Sequence, residues 1–379
     1  MKKILFCSPV RRTKELGGSK VVVELAEEMS ALGWDCQILS PEDFPAPAGS
    51  AAPHEIFHDN LREYLKKHGG NFDVIDYDHA YLPFPRKEFS RKSLFAARSV
   101  LLTHHLGSIN FPTPVTIKSV AGSVIHGQAR HRARIQLIRR AQKTIEEADL
   151  VNVSNFEDKA ELTKHHIDTD KIVVIPYGIC ETRRSLFDRV STEVPPHPLI
   201  VFVGTFDYRK GALDFPQIVK TVLNSVPETR FRLLGAQGLF RTEAEILSNF
   251  PHSQRNKLEI ILKYKPLDLP ELLSDCSAGI FPSYLEGMPF GILEMLSASI
   301  PVVAYNSPGA PMMLPPENLV EPGNPKEMGS RVASLLQNQS TLSAARRLAK
   351  QLSQSFTWKR SARMTSDIYE DWCLRKQSN

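Results

Sequence analysis

The chain has 379 residues, enough for two domains of ordinary size, and its 42% hydrophobic and 23% charged residues describe a globular protein without a disordered tail. No apolar run approaches the ~20 residues needed to span a bilayer, and the N-terminal apolar stretch is too short for a signal peptide, so a cytoplasmic protein is expected. Five scattered cysteines (Cys7, Cys36, Cys180, Cys276, Cys373) form no CxxC pair and fit a reducing compartment, while a net charge of +5 permits anionic ligands without indicating nucleic acid.

Lys3 to Ser8 is an apolar run followed by a loop from Pro9 to Gly18. From Ser19 the apolar positions Val22, Leu25, Ala26, Met29 and Leu32 recur at helical spacing, and Gly33 closes the helix. Cys36 to Leu39 reads as the next strand. This order predicts a parallel, doubly wound sheet, with further strands at Phe72 to Asp76, Ser99 to Thr103, Leu150 to Val153 and Ile172 to Ile175. In the first strand-to-helix loop, Glu15-Leu16-Gly17-Gly18-Ser19-Lys20, two glycines permit close backbone approach and Ser19 can cap the helix. A tight turn and a ligand contact both fit it.

Ala129 to Ala148 reads as a helix with Ile135, Ile138, Ile145 and Ala148 inward and Arg132, Arg139, Arg140 and Lys143 outward. That basic face is either simply solvated or a peripheral contact with anionic lipid at the inner membrane face. Glu181 to Pro198 carries scattered charges, Pro195-Pro196 and Pro198, and reads as a linker. The alternation then restarts. Strands are expected at Leu199 to Val203, Arg230 to Leu234, Leu258 to Leu262, Ala278 to Pro282 and Pro301 to Tyr305. Helices are expected over about Ala212 to Asn224 and Leu269 to Asp275, then from about Pro325 and Ser340. The predicted fold is α/β, with two Rossmann-like doubly wound domains facing a central cleft. Residues 1–185 form the first, 186–198 a linker, 199–355 the second, and 356–379 a C-terminal helix.

The segment Val203-Gly204-Thr205-Phe206-Asp207-Tyr208-Arg209-Lys210-Gly211 links strand to helix in the second half. Two adjacent cations opening a helix oppose its dipole, and a bound anion would remove that penalty, which makes Arg209 and Lys210 candidate pyrophosphate ligands. The most informative stretch is Tyr284-Leu285-Glu286-Gly287-Met288-Pro289-Phe290-Gly291-Ile292-Leu293-Glu294. Pro289 suits a first helical turn, and the amides around Gly287, Met288, Phe290 and Gly291 would face a phosphate. Glu294 lies about 7–8 Å along the helix axis, close to the reach from a pyrophosphate to its ribose. Glu286 is left beside the phosphate. A nucleotide-sugar site fits these placements; a loop glutamate and a solvated helix glutamate would fit the bare pair.

Two carboxylates separated by seven residues, with Gly after the first, resemble the Glu-x7-Glu signature of retaining glycosyltransferases of family four. The Gly-Gly loop, Val151-Asn152-Val153-Ser154, Val174-Ile175-Pro176-Tyr177-Gly178, the Arg209-Lys210-Gly211 element, Pro301-Val302-Val303-Ala304, Glu321-Pro322-Gly323 and Phe356-Thr357-Trp358 extend the resemblance over most of the chain. It implies the two-domain GT-B architecture, with the last helix crossing back to the first domain. It implies that Glu294 binds the ribose, that Glu286 meets the donor sugar and acts in catalysis, and that Gly287, Met288, Pro289 and Phe290 lie against the donor. Lys210 and Arg209 would hold the diphosphate, and Gly17 and Gly18 would approach it from the other domain. His105, after Leu101-Leu102-Thr103-His104, matches the family's catalytic-side histidine; on a strand, only one of His104 and His105 would face the site. Many members carry Arg where this chain has Thr205, and Arg209 can supply that charge.

The activity implied is retaining, metal-independent transfer, typically of a hexose as in polysaccharide biosynthesis. The donor would be a nucleotide diphosphate sugar, with UDP favoured. The acceptor would be a hydroxyl of a glycan, a lipid or a small molecule, and no cofactor is implied. Loops Pro9 to Glu15 and Ser108 to His126 would choose that acceptor. Asp76-Tyr77-Asp78 imitates the DxD metal motif of the other transferase fold, but about one such triplet is expected by chance. An epimerase or phosphorylase on the same fold, or a non-catalytic nucleotide-sugar binder, remain alternatives. Keeping both glutamates and the Arg-Lys pair argues against the last.

Overall fold

Short runs of Val, Ile, Leu and Phe, separated by helices, build two six-stranded sheets in which every pairing is parallel. A computed structural model describes residues 1–14, 17–45, 57–114 and 117–378, without the side chains of 117–130 and 376–378. Of the expected acceptor loops, Glu15 and the stretch from 115 to His126 therefore lie wholly or partly outside the described residues. The first sheet contains β1 (Lys3–Cys7), β2 (Asp35–Leu39), β3 (Val74–Asp78), β4 (Leu94–Arg98), β5 (Leu150–Val153) and β6 (Ile172–Val174), in the order β2-β1-β3-β4-β5-β6. The second contains β7 (Leu199–Val203), β8 (Arg230–Leu234), β9 (Leu258–Ile261), β10 (Ala278–Phe281), β11 (Val302–Tyr305) and β12 (Leu319–Val320), in the order β12-β11-β10-β7-β8-β9. Strands such as Leu199–Val203, buried at every residue, read as continuous apolar runs because helices cover both faces of a parallel sheet.

Two compact units result: Met1–Ser108, Ala121–Gly178 and Thr357–Asn379 form one, and Ile109–Val120 and Ile179–Phe356 the other. In the first unit the helix Trp358–Ser378 is tied to the sheet by polar bonds. Tyr369 donates to Asp76, which also accepts from Arg98 Nε and Nη2 at 2.7–3.1 Å, all three being buried. Trp34 Nε1 donates to Ser366 Oγ at 2.9 Å, and the rings of Trp358 and Tyr177 stack with centroids 5.4 Å apart. A Cβ on Gly178 would stand 2.3 Å from the Thr357 backbone, so only glycine allows this approach.

Three sequence expectations change. The strand expected at Ser99 to Thr103 is Leu94–Arg98 instead: Leu94 to Ala97 are fully buried, whereas Leu101 is 37% exposed. Leu319–Val320 adds a two-residue strand, too short to carry a period-two signal. The main stretch of the second unit begins at Ile179 rather than after 185, and Glu181–Phe187 within it is a helix that buries Arg183 and Phe187. Lys350 Nζ fixes its end by donating to Phe187 O at 3.1 Å and pairing with Asp188 at 2.7 Å. The following stretch is pinned as well: Arg346, wholly buried, donates to the carbonyls of Ser191, Thr192 and Cys276.

Candidate functional site

β7 and β10 are hydrogen-bonded neighbours, so the loops leaving their C-terminal ends must meet. In doubly wound sheets that edge is where ligands bind. In the first loop Thr205 Oγ1 donates to Asp207 Oδ2 at 2.7 Å, and Asp207 Oδ1 accepts from the Lys210 amide at 3.0 Å, closing the turn Tyr208–Lys210. Gly211 then takes a left-handed φ of +80°, and a Cβ there would lie 2.3 Å from Pro282 O. The second loop is laced to the first: the Tyr284 amide donates to Arg209 O at 2.9 Å, and Arg209 Nη1 donates to Leu285 O.

This lacing brings three of the expected site residues together. Glu286, only 8% exposed, accepts from Ser283 Oγ at 2.6 Å, Lys210 Nζ at 2.8 Å and Arg209 Nη1 at 3.1 Å. Burial pushes its carboxyl up, but Lys210, Arg209 and the hydrogen bonds from Lys210 and Ser283 outweigh it and hold the group below the usual glutamate value. Lys210 Nζ also lies 5.2 Å from the centroid of the Phe281 ring. The cations do not open a helix, however. The helix runs Phe215–Ser225, beyond the left-handed Gly211, so the dipole penalty expected from sequence does not arise. Glu286 offsets one of their two charges.

The eight-residue helix Phe290–Ser297 starts immediately after Pro289. Its first turn sits hard against the sheet, since a Cβ on Gly291 would meet Val203 O at 2.3 Å. Gly309, at φ +82°, backs the preceding loop, where a Cβ would meet Gly287 O at 2.2 Å. Gly287, Met288 and Pro289 are buried and Phe290 half-buried. The Phe290 amide donates to Met288 O at 2.9 Å, and the Ile292 amide to Pro289 O at 3.0 Å. The Phe290 amide thus closes a tight turn around Pro289.

Glu294, 7% exposed on that helix, accepts from Arg183 Nη2 at 2.6 Å across 111 residues of sequence. The Tyr264 hydroxyl, raised by burial and by the nearby Glu294 carboxylate against the pull of Arg183, borders the same pair. Asp214 anchors the glutamate-bearing loop from beneath, accepting from Tyr284 at 2.6 Å and Tyr305 at 2.9 Å. Burial raises its carboxyl, and the two tyrosine bonds act in the opposite direction. Sequence reasoning missed Arg183 and Asp214. Arg183 lay in the presumed linker, and no local spacing marks either residue.

The residues expected from the first unit have other surroundings. Gly17 and Gly18 open the helix Gly17–Ala31 and are exposed, with no described atom within 4 Å of where a Cβ would stand. Ser19 does not cap that helix: it sits inside it, and its Oγ accepts from the Thr13 amide at 2.9 Å. His104 and His105 lie on no strand, since His105 begins the short helix His105–Ser108, and the opposite-faces expectation lapses. Both are buried. His105 Nε2 lies 2.9 Å from Asp158 Oδ1, and His104 Nε2 lies 2.9 Å from Gln142 Oε1. Burial holds the His104 imidazole down at about 4, against the Gln142 bond. Asp158 is raised by burial, which outweighs its bonds from His105 and Asn155.

Asp76 of the DxD triplet is committed to Arg98 and Tyr369. Among the described residues no group of three His, Cys, Asp or Glu side chains could hold a metal ion. Nor is any described helix long and apolar enough to cross a membrane. On the basic helix, which runs Ile117–Glu146, Arg132, Arg139 and Lys143 are exposed. Arg140 instead lies over the Tyr81 ring at 5.0 Å and is half-buried. Residues 129 and 130 of the expected helix lie outside the described side chains.

Residues 184–353 match the family model described as glycosyl transferases group 1. The chain is 26% identical to the D-inositol 3-phosphate glycosyltransferase of Corynebacterium kroppenstedtii over 252 residues, 62% of this chain and 56% of that one. Matches of this kind span about half of the curated relatives' own length or less. Among solved structures, sucrose-phosphate synthase from Thermosynechococcus elongatus superposes with a TM-score of 0.71 at 17% identity, covering 99% of this chain and 100% of that one. Anabaena HepE in complex with UDP-glucose gives 0.64 at 13% identity, covering 98% and 100%. The fold is GT-B, two units each built on a six-stranded parallel sheet.

Proposed function

We propose that this protein is a glycosyltransferase that moves a sugar, with retention at the anomeric carbon, from a nucleotide diphosphate sugar to a hydroxyl acceptor. The observation that carries the proposal is the convergence of Arg209, Lys210 and Glu286 at the strand edge, with Glu294 on the helix that follows. UDP is the donor nucleotide we favour, in keeping with the UDP-glucose bound to the Anabaena neighbour. The acceptor is a glycan, a lipid-linked molecule or a small molecule.

In the step proposed, the bond from the anomeric carbon to the β-phosphate oxygen breaks and a bond to the acceptor oxygen forms on the same face. The acceptor proton passes to a donor phosphate oxygen. Lys210 and Arg209 neutralise the charge that develops on the departing diphosphate, fixed cations being worth most in a water-poor site. Glu286 contacts the donor sugar, Glu294 the ribose, and the Gly287, Met288, Pro289 and Phe290 backbone walls the diphosphate. No metal or other cofactor takes part, the protein works in the cytoplasm, and exposed Arg132, Arg139 and Lys143 offer anionic lipid a peripheral contact.

A thermal-shift panel of UDP, GDP and ADP sugars tests donor choice, because a ligand that binds only the folded state raises the melting temperature. With the donor found, a product assay in excess chelator and an anomeric assignment by NMR test the rest. Inversion would overturn retention, and loss of transfer with chelator would overturn metal independence. An epimerised or phosphorolysed sugar in place of a new glycosidic bond would transfer the site to another reaction.

A further inference from the structure

The helix Glu181–Phe187 is held from several directions. The Ile179 amide donates to Phe356 O at 3.2 Å, Arg184 Nη1 to Gln354 O at 3.4 Å, and Lys350 Nζ to Phe187 O at 3.1 Å. From this fixed base Arg183, 5% exposed, reaches Glu294 Oε1 at 2.6 Å. Charge-assisted bonds of that length are the strong and directional ones. A glutamate side chain without such a partner has three torsions to settle, whereas here one carboxylate oxygen is fixed by a group outside its own helix. The guanidinium also lies over the Phe187 ring at 5.8 Å, which limits its own freedom. Gly235, at φ +69°, lets the backbone pass the ring of Tyr264, where a Cβ would lie 3.0 Å from Cε1.

We infer that Arg183 is the positioning residue for nucleoside recognition: by holding Glu294 Oε1 it turns the carboxylate so that it accepts from the vicinal hydroxyls of a ribose. This rests on the donor reading above, which places Glu294 at the ribose. A vicinal diol donates two hydrogen bonds in a narrow geometry, so a carboxylate of fixed plane discriminates ribose from deoxyribose more sharply than a mobile one. Arg183 touches no reacting atom. Its loss therefore acts on donor selection and KM, while kcat at saturating donor stays within about threefold, because uniform binding is what it supplies.

Calorimetry with UDP and 2′-deoxy-UDP on the full chain, compared among wild type, Arg183→Met, Arg183→Lys and Glu294→Gln, decides the matter. Wild type should prefer UDP by at least about tenfold, the contribution expected of one charged hydrogen bond. Arg183→Met should reduce that preference to about threefold or less, with Arg183→Lys intermediate because an ammonium lacks the planar fork. If Arg183→Met does not fold, Arg183→Lys and Glu294→Gln carry the comparison, and each should blunt the preference. An undiminished preference in folded Arg183 variants assigns the pair to stability alone and overturns the inference. Wild type that binds nucleotide without preferring ribose overturns it too, while leaving the donor site standing. Wild type that binds none of UDP, GDP or ADP fails the donor reading itself, and the inference with it.

Discussion

The strand edge of the second unit and the histidine-lined region of the first both gather buried charged and polar groups, yet they balance them differently. At the second-unit edge, two cations share one carboxylate, leaving excess positive charge among Arg209, Lys210 and Glu286. In the first unit Arg98 is matched by Asp76 and Tyr369, His105 by Asp158 and His104 by Gln142. An unbalanced cluster is suited to receive an anion, and a closed one to hold a fold. Burial alone therefore does not mark a site; the residual charge does.

The contrast can be broken most severely at Arg98. Arg98→Ala leaves Asp76 buried without its cation, and removing one partner of a buried pair costs roughly 3–5 kcal/mol. Urea melts should register that loss, while calorimetry on the folded variant should show nucleotide affinity unchanged. A second-unit site that weakened in step would mean the two regions are not independent.

Next in size are Lys210→Ala and Glu286→Gln. Lys210→Ala should lower turnover by about 10²–10³-fold, as when one fixed donor to a developing anion is lost. Glu286→Gln should depress transfer comparably, yet bind free nucleotide diphosphate at least as tightly, because it releases Arg209 and Lys210 from their internal counter-ion. Steady-state rates beside calorimetry separate these effects. Weaker nucleotide binding in Glu286→Gln would mean the carboxylate organises the cations rather than competing for them.

The first unit should answer to pH instead. His104 is held down at about 4, so between the ordinary histidine value near 6.5 and that value the unfolded chain binds a proton the folded one does not. Stability should therefore fall as pH drops through this window, by up to about 3 kcal/mol, and level off below it. Replacing His104 with Gln should flatten that slope in denaturant melts at pH 7, 6 and 5; an unchanged slope would assign it to other groups. The smallest effect is at a cap: Asn155 accepts from the Asp158 amide at 2.7 Å to start the helix Phe156–Lys164. Asn155→Ala should cost about 1 kcal/mol in the same melts and leave nucleotide binding untouched.

What the sequence determined by itself was everything whose geometry is carried by one short segment. Glu286, Pro289 and Glu294 lie within nine consecutive residues, and strand exit, proline turn and helix rise place them relative to one another without help from the rest of the chain. Alternating apolar runs and helices likewise made most of both parallel sheets legible, with β4 misplaced by five residues because Ser99 to Thr103 also reads as extended, and the two-residue β12 missed. Only tertiary structure decided what lies across long separations. It paired Arg183 with Glu294, ran Tyr369 into Asp76, and set Glu286 between Lys210 and Arg209. The physical reason is that helix and strand periodicity are properties of a few neighbouring residues, whereas an ion pair 111 residues apart depends on how whole elements stack.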